Sequence, residues 1–413
     1  MFGAWLIAAM CVAEVFTMLG FSTFAALLPS FMQLWSLSAT EAGWLSGVFF
    51  VGYMGAVPVL TGLTDRYDAR GIYLWSVALT ALSTLAFALL ARDLWTAAPL
   101  RLLAGAGLAG TYMPGLRALT DRVPPAAQPR AVSFYTSSFG IGASASYWLA
   151  GAIESWASWE WAFALGAAAA AFSGLAVAAL LRPKPVERRA ASLFATLDVR
   201  PVLRNRQAMA WILAYGAHSW ELFGLRSWIV VFLGFAAALQ PEQAAGWLSV
   251  TAVAALMNLL AMPASIVGNE FATRLGRRGT VAAIMLVSAA LACAVGLSPG
   301  LPYGALVAIV LLYAMTVAGE SAALTTGTVQ AAEPARKGAT MALHSTVGFG
   351  FAFLGSLGPG IVLDLAGGAQ SRLAWGLAFA AMGAGAALGP LAVWLLTRER
   401  GAALRGDGSA RGS

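Results

Sequence analysis

The sequence predicts an all-helical protein that crosses a membrane about a dozen times, and three observations carry that prediction. Of 413 residues, 60% are hydrophobic and only 10% are charged, against roughly 25% charged in soluble globular proteins. The apolar residues fall in continuous runs separated by short polar gaps. The chain also repeats itself at an offset of about 207 residues, as expected of two pseudo-symmetric halves of six spans each.

So little charge cannot cover a soluble surface. The length alone would allow two or three soluble domains at roughly 150 residues each. In such a protein the net charge of +7 would raise nucleic acid as a partner; here it reads as the loop bias of a membrane protein, with no nucleic acid expected. The two cysteines, Cys11 and Cys293, lie in apolar runs, so neither a disulfide framework nor a metal site is encoded, and no cofactor is expected. Basic residues are 23 Arg against 2 Lys beside heavy Ala and Gly use, which points to a GC-rich bacterial genome. The first run has no basic leader, contains Glu14 and is followed at once by another run, so it reads as a span and not a signal peptide.

The apolar runs cover residues 5–29, 43–63, 71–91, 94–118, 132–153 and 161–181, then 208–238, 244–267, 280–297, 303–329, 340–365 and 373–397. Most can cross about 30 Å of hydrocarbon as helix. Lipid forces each segment to satisfy its own backbone, and continuous runs exclude the alternating strands of a barrel. The polar stretch 182–207 divides the chain into an N-terminal bundle (1–181) and a C-terminal bundle (208–400), with a disordered tail from 401 to 413. With the N-terminus cytoplasmic, 21 of the 25 basic residues fall in cytoplasmic segments. The positive-inside rule therefore places both termini in the cytoplasm.

The internal repeat rests on four matches. Phe139-Gly140-Ile141-Gly142 meets Val347-Gly348-Phe349-Gly350, Arg130 meets Lys337, residues 61–70 meet residues 269–278, and Glu14-Val15-Phe16 meets Glu221-Leu222-Phe223. Duplication at one offset is the pattern of transporters whose halves rock about a midplane site.

Residues 61–70 read T-G-L-T-D-R-Y-D-A-R. This resembles the 2–3 loop signature of the major facilitator superfamily, G-x-L-x-D-R-x-G-R-R, with Asp65, Arg66 and Arg70 matching and Thr61, Asp68 and Ala69 departing. The second copy ends Arg274-Leu275-Gly276-Arg277-Arg278. Arg101, Gly105 and Gly107 resemble the family's R-x-x-x-G-x-G motif in span 4, and Trp159-Glu160-Trp161-Ala162-Phe163 is similar to its W-R-W-x-F start of span 6. The resemblance covers nearly the whole chain. It implies the major facilitator fold, two six-helix bundles around a central cavity, alternating access and a mostly monomeric protein.

Charge at the bilayer centre costs about 2.5–3.5 kcal/mol per group on insertion scales, so each buried ionisable residue is a functional candidate. Glu14 lies about 15 Å into span 1, and Glu221 is its repeat mate on span 7. In the resembled family, spans 1 and 7 line the cavity, so the two carboxylates are expected to face it together and carry protons. The alternative is that each only ties helices together. His218, one turn before Glu221, either relays a proton or hydrogen-bonds that carboxylate. Arg226 either attracts an anionic substrate or snorkels outward. For Arg101 the resemblance implies proton coupling; the bland reading is a satisfied ion pair. Glu320 is a second protonation site or the partner of a cytoplasmic arginine, with the latter favoured. Asp364 is expected to be solvated at the outer end of span 11.

At the cytoplasmic rim the resemblance implies a gate of Asp65, Arg66, Arg70 and Asp121. Asp65 would face the N-terminus of span 11, where the helix dipole favours an anion, and Arg66 would pair with Asp121. The span 4, 5 and 11 glycines read first as close-packing positions.

No phosphate-binding G-x-x-x-x-G-K-[ST] loop and no soluble catalytic domain are visible, so neither an ATP-driven pump nor an enzyme is expected. The reading is proton-coupled secondary transport of a small solute, favouring an organic anion and symport, across a bacterial inner membrane. One rival is a proton antiporter exporting amphipathic drugs or toxic metabolites, bound by aromatic area. The other is a membrane receptor or scaffold without flux.

Overall fold

A computed structural model describes residues 2–185, 198–240 and 248–397. Residues 186–197 of the 182–207 linker and the tail from 401 onward therefore lie outside the described residues. All twelve apolar runs are helical over the parts described, three of them interrupted. Run 1 becomes α1 (Phe2–Met18) and two short helices, α2 (Thr23–Ala26) and α3 (Leu28–Leu34). It is followed by α4 (Ala39–Leu63) and α5 (Ala69–Leu90). Run 4 splits into α6 (Leu94–Ala109) and α7 (Tyr112–Thr120), and α8 (Gln128–Glu154) and α9 (Trp159–Leu180) complete the N-terminal half. After the short α10 (Arg200–Arg204) come α11 (Arg206–Ala238), α12 (Val250–Leu275) and α13 (Arg277–Gly296). Run 10 splits at Glu320 into α14 (Tyr303–Gly319) and α15 (Ser321–Ala331), followed by α16 (Lys337–Leu365) and α17 (Arg372–Thr397). Among the described residues, nine helical segments, α14 and α15 counted as one, are long and apolar enough to cross a membrane.

Local chemistry sets the ends. Ser38 and Glu41 form a reciprocal capping box that starts α4, and Asp93 with Thr96 does the same for α6. Asn205 caps α11 by accepting the Ala208 N–H at 3.0 Å. Gly276, at φ +96°, makes the tight turn between α12 and α13, a conformation that favours glycine. The equivalent turn in the first half instead has Asp68 as N-cap of α5.

In the N-terminal half α5 packs on α6 and α9, α4 on α6, and α1 on α8 and α9. In the C-terminal half α11 packs on α16 and α17, α13 on α17, and α12 on α14. Glycines permit the closest approach: a Cβ on Gly105 would sit 1.8 Å from the Phe49 carbonyl oxygen, the packing role expected of it.

The halves meet along two seams, α4 with α16 and α8 with α12. A Cβ on Gly360 would lie 2.3 Å from the Ala39 oxygen, and the Asp364 carboxylate accepts the Ala39 and Thr40 N–H groups at 3.0 and 2.7 Å. Asp364 is thus not simply solvated; it holds the positive end of the α4 dipole. On the other seam Ser144 donates to the Ala255 carbonyl at 2.6 Å. Farther along, toward the Asp65 end, Val132, Ser133, Phe134 and Thr136 of α8 are exposed, as are Ile266 and Val267 of α12. The seams are tight from the Asp364 end to mid-height, and these helices expose their faces beyond it.

Candidate functional site

Where the seams give way, aromatic rings from both halves converge. Tyr53 of α4 lies against Phe349 of α16 with centroids 3.9 Å apart, and Phe50 lies against Phe223 of α11 at 4.5 Å. Phe139 of α8 meets Tyr112 of α7 at 5.3 Å. Tyr215 of α11, half-buried, stacks on His344 at 3.8 Å. Beside this cluster stands Arg226, its guanidinium carbon 5.5 Å from the centre of the Phe223 ring. Its side chain is half-buried and has no hydrogen-bond or ion-pair partner among the described residues. A free guanidinium beside aromatic faces can hold an anion that carries a ring: the charge meets the fork, and the ring stacks.

The buried carboxylates are arranged differently from expectation. Glu14 is fully buried, accepts the Tyr135 hydroxyl at 2.8 Å through Oε2, and has no partner at Oε1. Tyr135 also lies 3.4 Å from the Thr111 carbonyl, at the interruption between α6 and α7. Glu221 is fully buried inside the C-terminal half, where Ser288 donates to Oε2 at 2.9 Å and Tyr313 to Oε1 at 3.1 Å. The two carboxylates therefore do not face one cavity as a pair. Each points into its own half, because the hydroxyl donors that can offset its desolvation lie on that half's other helices.

His218 bonds neither Glu221 nor a relay toward it. Its Nδ1 lies 3.0 Å from Glu320 Oε1, leaving His218 Nε2 and Glu320 Oε2 buried without partners. Glu320 thus pairs with a histidine and not with an arginine. It sits at the break between α14 and α15, as Thr111 sits at the break between α6 and α7.

Arg101 is 7% exposed and makes no ion pair among the described residues. Its Nε and one Nη reach the Leu45 and Ser46 carbonyls at 3.4 Å, and its guanidinium lies over the Phe24 and Phe49 rings at 4.4 and 4.8 Å. The satisfied ion pair is absent because no acid on the surrounding helices reaches it.

At the Asp65 end the expected gate turns inward on its own half. Asp65 pairs with Arg117 at 2.6 Å, and Arg117 also approaches Asp121 at 3.8 Å. Asp121 thus meets Arg117, where Arg66 was the expected partner. Arg70 donates to the Ala178 carbonyl at 2.9 Å. The loop's more buried ion pair is Asp68 with Arg122 at 2.7 Å, reinforced by the Lys184 and Arg70 N–H groups. Burial pushes the Asp68 carboxyl up, but these hydrogen bonds and the Arg122 charge outweigh it and hold the group below its ordinary value. Sequence reasoning missed Tyr135, Ser288, Tyr313, Arg117, Arg122 and the bridging role of Asp364. Only the i,i+4 spacing of Arg117 and Asp121 offered a local signal.

Comparison with known proteins decides the family. A model described as the Major Facilitator Superfamily matches residues 10–356. The chain belongs to the major facilitator superfamily. Among curated relatives, the niacin transporter NiaP of Acinetobacter baylyi is 21% identical over 296 residues, 62% of this chain and 64% of that protein. The 3-(3-hydroxy-phenyl)propionate transporter of Escherichia coli is 38% identical over 138 residues, 31% of this chain and 32% of its own length. The chain spans less than two thirds of the length of these relatives. The fold is shared with a bacterial homolog of the human lysosomal transporter Spinster, at TM-score 0.72, 15% identity and coverage of 96% and 95%. Membership of the superfamily and the long apolar helices make this a multi-pass membrane protein.

Proposed function

We propose that the protein is a proton-coupled transporter of a small aromatic carboxylate, carrying it across a bacterial inner membrane by alternating access. The observation that carries this reading is Arg226, unpartnered beside the Phe223 ring, where aromatic side chains of both halves meet. Niacin and 3-(3-hydroxyphenyl)propionate, named for two relatives, are both aromatic rings bearing a carboxylate, which supports the same chemistry. The chain then forms two six-span bundles, 1–181 and 208–400, joined by a cytoplasmic linker at 182–207 and acting as a monomer. Both termini are cytoplasmic, and the Asp65 end faces the cytoplasm. With the outer end latched by Asp364, this is an inward-facing arrangement.

Proton coupling falls to Glu14 and to the Glu320–His218 pair, each of which keeps an unpartnered buried atom; Glu221, with both oxygens satisfied, ties helices together. Asp65, Arg66, Arg70 and Asp121 form the rim that separates from the other half when the cytoplasmic side opens. Export of amphipathic compounds is the second reading, favoured by the aromatic lining alone. Counterflow in proteoliposomes separates the two. Labelled nicotinate should exchange, its neutral amide should not compete, and Arg226→Gln should lose most of the exchange. Equal competition by the amide, or wild-type exchange in Arg226→Gln, would overturn the carboxylate assignment.

A further inference from the structure

A small cavity lies inside the N-terminal half, away from the aromatic cluster between the halves. This cavity of about 20 Å³ is lined by residues of α1, α4, α5, α6 and α9 and of the turn after α1. A single water needs roughly 10–15 Å³ measured this way, so the space suits one small occupant. Arg101 and Thr84 both line it. Each is only 7% exposed. Neither the second Nη of Arg101 nor the Thr84 hydroxyl makes a hydrogen bond among the described residues. The neighbouring hydroxyls of Thr80 and Ser83 are already committed to backbone carbonyls of their own helix.

A guanidinium in this position needs compensation. Two carbonyls at 3.4 Å and two phenyl faces supply dipole and quadrupole, but no described carboxylate pairs with it. Water would add another dipole and leave the charge uncompensated; a small anion would neutralise it. The free Nη and the free hydroxyl are both donors, which is what a spherical anion accepts. Phe49, Phe21 and Phe163 close the remaining walls, so a large or strongly hydrated oxyanion has neither room nor donors. We infer that Arg101 and Thr84 form a binding site for one small monovalent anion of chloride's size. The site is structural, and independent of which solute the protein carries.

The test is equilibrium binding of radiochloride to the purified full chain in detergent, with thermal unfolding followed in chloride, bromide and gluconate salts. Saturable binding near one chloride per chain is expected, together with stabilisation by chloride and bromide but not by gluconate. Thr84→Val keeps the shape and removes one donor, and should weaken binding about tenfold; Arg101→Gln should abolish it. If Arg101→Gln does not fold, Thr84→Val alone decides. Unchanged affinity in that variant, or no saturable binding to the wild type, overturns the site. Nicotinate that competes with chloride would move Arg101 onto the transport route and also overturn it, whereas a protein that fails to carry nicotinate leaves the chloride result standing.

Discussion

Glu14 and Glu221 occupy the same place in the two repeats and do different things. Tyr135 gives Glu14 one hydrogen bond and leaves its other oxygen buried and bare. Ser288 and Tyr313 give Glu221 one bond on each oxygen. A buried carboxylate with a bare oxygen can take up a proton without breaking a contact, whereas a saturated one must give up a hydrogen bond or rearrange its donors. In the C-terminal half the unsatisfied atoms have moved one turn and one helix away, to His218 and Glu320. Two carboxylates at equivalent sequence positions thus sit in different hydrogen-bonding surroundings.

The largest expected effect tests that difference directly. In proteoliposomes with a pH gradient, uptake by Glu14→Gln should fall to the rate seen without a gradient, while counterflow, which needs no net proton movement, persists. Glu221→Gln should keep its gradient dependence, since Gln can still accept from one hydroxyl. Equal losses in the two variants would erase the distinction, and gradient dependence preserved in both would remove coupling from Glu14.

The two seams make a second contrast. The α8–α12 seam carries a hydroxyl-to-carbonyl bond at Ser144. The α4–α16 seam carries a charge: Asp364 accepts two N–H groups at the start of α4. Hydrogen bonds to charged groups contribute about 1.5–3 kcal/mol, and a shift of about 1.4 kcal/mol changes a two-state population about tenfold. Asp364→Ala should therefore speed maleimide labelling of a Leu357→Cys probe, in the same seam, by about tenfold. Ser144→Ala should change it far less. If Asp364→Ala leaves labelling unchanged, the seams are equivalent and the carboxylate is only a surface cap.

How much of this was legible in the chain follows from what hydropathy can and cannot encode. Apolar runs mark where helix must form, and the run 43–63 became Ala39–Leu63 while 373–397 became Arg372–Thr397. Run length does not mark interruptions. The breaks at Gly110–Thr111 and at Glu320 fall inside runs 4 and 10, because an apolar chain can pause wherever a neighbouring helix supplies partners. Side-chain direction was the least readable. A Glu one turn from a His on the same helix says nothing about whether a third helix offers that His a better partner, as Glu320 does. The rim motif was read from matching positions, and its more buried ion pair formed at a departing one, Asp68.

The smallest effect concerns that residue and its counterpart. In the first repeat the loop is held by an ion pair, Asp68 with Arg122 at 2.7 Å. In the second, the glycine turn at Gly276 replaces the acid, and Arg277 donates to neutral oxygens, Asn269 Oδ1 at 2.9 Å and the Ala323 carbonyl at 3.0 Å. Only the first can titrate with acid. Asp68 is held below its ordinary 3.8 in the folded protein. The stabilisation is thus complete above about pH 4, where folded and unfolded chains are both ionised, and is lost as pH falls through the folded value. Asp68→Asn should cost about 1 kcal/mol near neutrality and flatten the fall in unfolding temperature below pH 4. Arg277→Gln should leave that acid limb as steep as in the wild type. An acid limb that survives Asp68→Asn would mean that other carboxylates govern it and that the ionic loop confers no pH sensitivity its neutral copy lacks.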